Sequence, residues 1–506
     1  MNWSDLPDPQ SYQSANRGLM EDQENWLMQC LAHNCNTEYG RNHAFSRISD
    51  ISEYQKQVPV VSYQELLPYI DDMTRGAADC LFEGRPIAFE RTSGSTSAQK
   101  LIPYSSESLK DFRRGLLPWL ANLPQQFNIT TGKAYWAISP ATHQSQFTVG
   151  GIPIGLPDSA YLGNDLAGFF QQVSAVPFWV AGMENFDEWQ LTTLYFLVSS
   201  TDLQVISIWS PTFLSTLIDA SHKKRNELEM VLAEGLYIHQ HELPANTSAH
   251  RRLQEFYASD DPTTLWPELK LISCWADASS QPYYQQLKSC FGGIPIQPKG
   301  LLSTEAVISV PGRENRTLLT PQSGFYEFID DNDDIYLAHE LRAGREYQVI
   351  LTTSGGLYRY RNNDRVLCEG YVGNLPELRF MGRQQTSDLA GEKLNEVFVN
   401  NCLKNIEGFR MLLALNNKPG YCLVLETAST TPNIREYVEK ELCRNPHYAY
   451  ARKLGQLQPL KLLTLKNPAG LYINRALQRG TRLGDIKLPV LCFDPDVFSD
   501  HLEQAA

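Results

Sequence analysis

Four short runs rich in β-branched and aromatic residues, "KAYWAIS", "LQVISIWS", "LKLISCWA" and "IPIQPKG", are spread over residues 133–300. Between them lie stretches long enough for helices, such as "TFLSTLIDASHKKRNELEMVLAEG". Strands separated in this way cannot pair through tight hairpins, so each connection must cross back over the sheet. The pattern predicts an α/β domain with a largely parallel sheet.

The segments on either side follow other rules. Upstream, "MEDQENWLMQCLAHNC" has apolar residues at helical spacing. "TEYGRNHAFSRI" and "VPVVSYQELLPYI" read as loops between further helical turns, making residues 1–90 a helical lead-in. After Pro311 the strand-like runs crowd together as "GFYEFID", "DIYLAHEL", "REYQVILTTSGGLYRYR" and "RVLCEGYV", with "DDNDD" as a hairpin turn. An antiparallel meander or small barrel is expected there. Beyond "LRFMGRQQ" come a helix in "LNEVFVNNCLKNI", further strands, and a helix in "NIREYVEKELCRN". A boundary at Gly382 to Gln385 divides the chain into an N-terminal domain over 1–382 and a small α+β domain over 383–506.

With 506 residues the chain exceeds the roughly 250–300 that one core organises, in keeping with at least two domains. Its 42% hydrophobic and 20% charged residues suit a packed globular protein. A net charge of −13 argues against nucleic acid or an anionic membrane as partner, since both demand a basic surface. No apolar run approaches the roughly 18–20 residues of a membrane span. The ten cysteines form no C-x-x-C pair, and "MNWSDLPDPQ" lacks the features of a signal peptide. A reduced, cytoplasmic monomer is expected.

The stretch "ERTSGSTSAQKL" puts Thr92, Ser93, Gly94, Ser95, Thr96, Ser97 and Lys100 directly after a strand-like run. Such a loop can turn backbone N–H groups, hydroxyls and an ammonium onto a phosphate. It equally suits a polar turn, because Ser and Thr bond locally to the backbone. It is not a Walker A loop, since Ala98-Gln99 stands before Lys100 where a glycine is required. The "HQH" of His239, Gln240 and His241 has no Cys or carboxylate cluster to complete a metal site.

Three later segments change the weight of the loop. "KGLLSTEAV" places Glu305 two residues after Ser303, "GLYRYRNNDRV" carries Asp364, and "FMGRQQTSDLAGEKLNE" follows. In this order the set resembles the adenylate-forming superfamily: a Ser/Thr/Gly phosphate loop, a Thr-Glu motif, a Tyr-Arg-to-Asp motif, and a Gly-Arg hinge. Within it the chain is similar to the auxin-responsive acyl-acid amido synthetases, known from plant hormone conjugation and with many bacterial relatives. "TEYGRNHAF", "VPVVSYQELLPYI", "SIWSPTFL", "LISCWADAS", "KGLLSTEA", "LYRYRNND", "GEKLNE" and "LGDIKLPVLC" carry that likeness from residue 27 to residue 490.

The resemblance implies a large N-terminal adenylate-forming domain, α/β sheets plus a β-barrel-like subdomain, with a small, mobile α+β C-terminal domain turning about Gly382 to Gln385. It implies an ATP- and Mg²⁺-dependent ligase whose partners are a small carboxylic acid and an amine, above all an amino acid. A carboxylate is anionic and has no leaving group; adenylation supplies AMP as one. By resemblance, Thr92, Ser93, Gly94, Ser95 and Thr96 with Lys100 hold the β- and γ-phosphates. Ser303, Thr304 and Glu305 form the Thr-Glu motif, with Glu305 on Mg²⁺. Tyr358 and Asp364 belong to the next motif, where Asp364 accepts both ribose hydroxyls. Arg383 stands at the hinge, Lys393 approaches the nucleotide phosphates, and Lys487 is the lysine of the adenylation step. Trp209 and Trp275 line the acyl or adenine pocket or pack in the core.

The chain departs from the family at Ser97 and Ala98, where glycine is usual, and at Asn363, where glycine often precedes the aspartate. Asn accepts positive φ, so the last departure is tolerable. Two other readings start from the same motifs: an acyl-CoA ligase using the same acyl-adenylate, and a non-catalytic nucleotide-binding homologue.

Overall fold

The computed structural model describes residues 3, 6, 18–92, 100–137, 146–156, 158–383, 386–415, 419–427, 432–481 and 483–502. The lead-in begins with α1 (Leu19–His33), which buries Leu27 and Leu31, and continues with α2 (Ile51–Gln57) and α3 (Tyr63–Thr74). "VPVVSYQELLPYI" is therefore largely helix rather than loop. Ser62 and Glu65 form a capping box, with the Ser62 N–H donating to Glu65 at 2.7 Å, and this satisfies donors that a helix start otherwise leaves open.

Strands β1 (Ala88–Arg91) and β2 (Leu101–Tyr104) pair antiparallel. The Ser/Thr loop is thus their connection, closed at its base by the Thr92 N–H on the Lys100 carbonyl at 3.1 Å. Ser93, Gly94, Ser95 and Thr96 lie outside the described residues, as do Ser97 and Ala98. The long α4 (Ser106–Phe127) then leads to β3 (Lys133–Trp136), and α5 (Asp158–Val173) follows.

With β4 (Leu203–Ser207), β5 (Leu271–Cys274) and β6 (Ile296–Pro298), β3 forms a four-stranded sheet in the order β6-β5-β4-β3. Every pairing is parallel, as the alternation predicts. Both faces are covered, so β4 is buried at every position. The stretch after β4 is two helices, Pro211–Lys223 and Arg225–Glu234, broken at Lys224.

Seven strands follow: β7 (Ser309–Pro311), β8 (Thr317–Leu319), β9 (Phe325–Ile329), β10 (Ile335–Leu337), β11 (Arg345–Thr352), β12 (Tyr360–Val372) and β13 (Leu375–Arg383). They form one antiparallel sheet, ordered β7-β8-β13-β12-β11-β9-β10. Asn362-Asn363-Asp364 lies inside β12. Gln348 pairs with Arg365 and Ile350 with Arg361, so residues 362–364 bulge opposite Val349 inside β12. Asn363 takes φ 68°, the conformation its amide side chain tolerates.

After α6 (Glu396–Leu403), β14 (Arg410–Leu415) and β15 (Gly420–Glu426) pair antiparallel. The helix α7 (Ile434–Leu442), β16 (Lys461–Leu465), the helix α8 (Pro468–Gln478) and β17 (Leu491–Cys492) complete a sheet ordered β16-β15-β14-β17. Alternate residues of β14 serve two cores. Leu412 and Ala414 pack with Val399 and Val438, while Met411 and Leu413 join the core that also holds Ile206 and Ile272 of the parallel sheet. No helix among the described residues is long and apolar enough to cross a membrane.

Candidate active site

The turn between β6 and β7 carries Glu305. Within it the Ser303 N–H donates to the Ala306 carbonyl at 2.9 Å, and the Ala306 N–H reaches the Ser303 hydroxyl at 3.2 Å. Tyr104, the last residue of β2, donates to the Thr304 carbonyl at 2.6 Å and anchors the turn from the other side. Lys100 stands just before β2, where its Nζ donates to the Tyr360 hydroxyl at 3.0 Å and lies 5.4 Å from the Tyr63 ring centroid.

The bulge in β12 delivers Asp364 to the same place. It is 2% exposed, and both of its oxygens are engaged: Arg383 Nε donates to Oδ1 at 3.1 Å and Asn362 Nδ2 to Oδ2 at 2.8 Å. Arg383 ends β13 directly opposite Asp364 in register. Lys487 comes from the other end of the chain, its Nζ 4.2 Å from the Trp275 ring centroid.

These groups feel one another. Burial pulls Lys100 down from the ordinary lysine value, opposed by Glu305 and Asp364. Burial raises Glu305, opposed first by Arg383. Lys487 is pushed down to about 8 by burial and then by the Arg383 charge, with Asp364 and Glu396 pulling the other way. Each ammonium therefore sits where a further negative charge would be welcome. Lys100, Arg383 and Lys487 lie among Glu305, Asp364 and Glu396 in a partly dry space, where each cation has a carboxylate within electrostatic reach.

The structure thus brings Lys100, Glu305, Asp364, Arg383 and Lys487 together, with Thr92 at the base of the loop. Ser303 is occupied by its own turn, and Thr304 contributes a carbonyl to Tyr104. Tyr358 is not at the cluster. It is fully buried, stacked on Tyr39 at 5.0 Å, and its hydroxyl donates to the Leu81 carbonyl at 2.8 Å. The tyrosine that faces Lys100 is Tyr360, two residues on. Lys393 is exposed at φ 49°, just before the short strand Leu394–Asn395, and forms no hydrogen bond or ion pair with the cluster among the described residues. Its neighbour Glu392 is fully buried and accepts from the Leu389 N–H at 2.8 Å and from the Tyr421 hydroxyl.

Trp209 and Trp275 lie 5.9 Å apart beside this site. The "HQH" is a hairpin turn: His239 bonds Glu188 at 2.8 Å and His241 stacks on Trp179 at 3.9 Å. Among the described residues, no three of His, Cys, Asp or Glu converge as a metal cage. Sequence reasoning missed Tyr104, Tyr360, Asn362 and Glu396. Only Tyr360 carried a usable signal, as the second tyrosine of "LYRYRNND".

Comparison with known proteins gives this geometry a family. Residues 10–296, 317–383 and 393–496 match the GH3 family N-terminal, central and C-terminal domains in succession. The chain is 24% identical over 433 residues to an indole-3-acetic acid-amido synthetase of Arabidopsis thaliana, covering 76% of this chain and 77% of the relative. It is 23% identical over 405 residues to a jasmonoyl–L-amino acid synthetase of Nicotiana attenuata, covering 72% and 69%. In fold it matches the GH3.15 acyl acid amido synthetase in complex with 2,4-DB at a TM-score of 0.85 and 18% identity, over 99% of this chain and 98% of that one. A 2-hydroxyisobutyryl-CoA ligase in the postadenylation state gives 0.55 at 12% identity, over 95% and 90%. Three domain matches in chain order, spanning most of the sequence, lead to one conclusion: this chain belongs to the GH3 family.

Proposed function

We propose that this chain is an ATP-dependent acyl-acid amido synthetase, which adenylates a small carboxylic acid and passes the acyl group to an amino acid or another amine. The observation that carries this reading is the convergence of Lys100, Arg383 and Lys487 on Glu305 and Asp364, from five separate stretches of a GH3 chain. A carboxylate oxygen of the acid attacks the α-phosphorus of ATP and pyrophosphate departs. The amine nitrogen then attacks the acyl carbon, expelling AMP and losing its proton to form the amide.

The residues divide this work by charge. Lys100 and Lys487 stabilise the negative charge that grows on the phosphoryl oxygens, and Asp364 offers its remaining lone pairs to the ribose hydroxyls. Arg383 fixes the Asp364 carboxylate while contributing positive charge. Glu305, a hard oxygen donor, would hold a Mg²⁺ ion, which would supply positive charge to the leaving pyrophosphate. Residues 383–506 turn about Gly382 to Gln385 between the half-reactions, of which Gln384 and Gln385 lie outside the described residues.

Asp364→Ala is expected to weaken ATP binding by about 1–3 kcal/mol, because charged hydrogen bonds to the ribose are lost and Arg383 loses its partner. Calorimetry checks this. An affinity equal to wild type would reduce Asp364 to an anchor for Arg383.

The reading as amide former is tested by product. Given its acid, ATP and Mg²⁺, the enzyme should yield an N-acyl amino acid by mass spectrometry when amino acids are supplied, and no acyl-CoA when CoA is supplied. The opposite product pattern would make the chain a thioester former and leave adenylation standing.

A further inference from the structure

At the carboxyl-terminal edge of the parallel sheet, Trp136 ends β3, Trp209 follows β4, Trp275 follows β5 and Lys299 follows β6. Ligands of open α/β sheets bind at this edge. Trp136, Ser207, Ser273 and Gln297 are register partners across the four strands, so their side chains share one face. The helix α4 covers that face, with the Trp119 indole N–H donating to Gln297 at 2.7 Å.

Lys299 lies inside this aromatic wall. It is 3% exposed, donates to the Ser207 hydroxyl at 2.6 Å, and sits 4.9 Å and 5.2 Å from the ring centroids of Trp119 and Trp209. No carboxylate pairs with it among the described residues, and burial pushes its ammonium down to about 7. Nearby, the Trp136 indole nitrogen and the Ser273 hydroxyl are buried and have no hydrogen-bond partner among the described residues. A buried ammonium without a carboxylate, beside two donors with no partner among the described residues, makes this a place where an acceptor would be held. The tryptophan pair also links this space to the reacting end, since Lys487 lies over Trp275 while Lys299 lies over Trp209, 5.9 Å away.

We propose that the body of the acid substrate lies against this aromatic sheet edge, and that Lys299 selects planar aromatic acids carrying a second carboxylate, distal to the one activated. The inference rests on the ligase reading above. The Trp faces hold the ring, the Lys299 ammonium receives the second carboxylate, and the Ser273 hydroxyl and Trp136 N–H supply further donors.

The probes are terephthalate and isophthalate set against 4- and 3-methylbenzoate, which match them in shape without the second charge. ATP–pyrophosphate exchange should favour the dicarboxylates, and Lys299→Met should lower the ratio of their kcat/KM to that of the methylbenzoates by about 10- to 100-fold. Tryptophan fluorescence titration reads binding without catalysis and should show the same preference and the same loss. Lys299→Gln keeps a donor toward Ser207 and replaces the Met variant if that fails to fold. A wild type that binds methylbenzoates at least as well, or a variant that weakens both acids equally, overturns the proposal even if exchange proceeds. A fluorescence preference with no exchange from any acid supports the Lys299 site and refutes the ligase reading instead.

Discussion

Lys487→Ala should lower ATP–pyrophosphate exchange by about 10²- to 10³-fold while leaving ATP affinity little changed. The lysine is half-buried over Trp275 and already repelled by Arg383, so it gains most when negative charge develops close by. That charge is greatest in the pentavalent phosphorus and departing pyrophosphate, which places the gain in the transition state rather than in binding. The pH behaviour carries its own sign. In the free enzyme Lys487 holds its proton below about 8 and loses it above. The transition state needs the ammonium, so the rate of exchange should fall as pH rises through about 8, where the free enzyme loses this proton. The variant should lose that dependence. Because the native value lies below the 10.5 of a free lysine, the unfolded chain binds more protons between the two, and this site costs stability at neutral pH that is regained as pH rises from about 8 toward 10.5. Exchange at the wild-type rate in Lys487→Ala would remove the residue from the mechanism.

What the sequence could and could not disclose follows from where each signal is written. The parallel sheet was legible because "LQVISIWS" and "LKLISCWA" are strands buried on both faces, and such runs stay apolar whatever lies around them. Lys100, Glu305, Asp364, Arg383 and Lys487 were legible only as members of motifs, since a lone lysine or aspartate has no spacing to betray it. The choice of Tyr358 over Tyr360 failed on backbone geometry. Arg359 between them takes φ 47°, a conformation that sequence does not announce, and it leaves Tyr358 in the core against Tyr39 with Tyr360 beside Lys100. Lys299 was invisible for another reason. Its ordinary fate is the surface, and only the register of four strands and the position of α4 put it among tryptophans.

The same Arg359 should govern the stability of this corner, and Arg359→Met is expected to cost about 3–5 kcal/mol. Its guanidinium donates to both Glu327 oxygens at 2.9 Å and, through Nη1, to the Gln55 and Val58 carbonyls at 2.8 Å. Arg359 is 4% exposed and Glu327 not at all, so removing the cation strands a carboxylate in the core. The two carbonyls belong to the end of α2 and the turn after it, and the Val61 N–H bonds the Arg359 carbonyl at 3.0 Å. Losing the guanidinium therefore frees the lead-in from β9 and the start of β12, where Tyr360 holds Lys100. The KM for ATP should rise along with the loss of stability. Chemical denaturation separates an ion-pair effect from simple packing. If the buried charge is the cause, Arg359→Met/Glu327→Met should be more stable than Arg359→Met alone, because no unpaired carboxylate remains; a double variant as unstable as the sum of the single ones would assign the loss to the bonds that Arg359 makes to the α2 carbonyls instead.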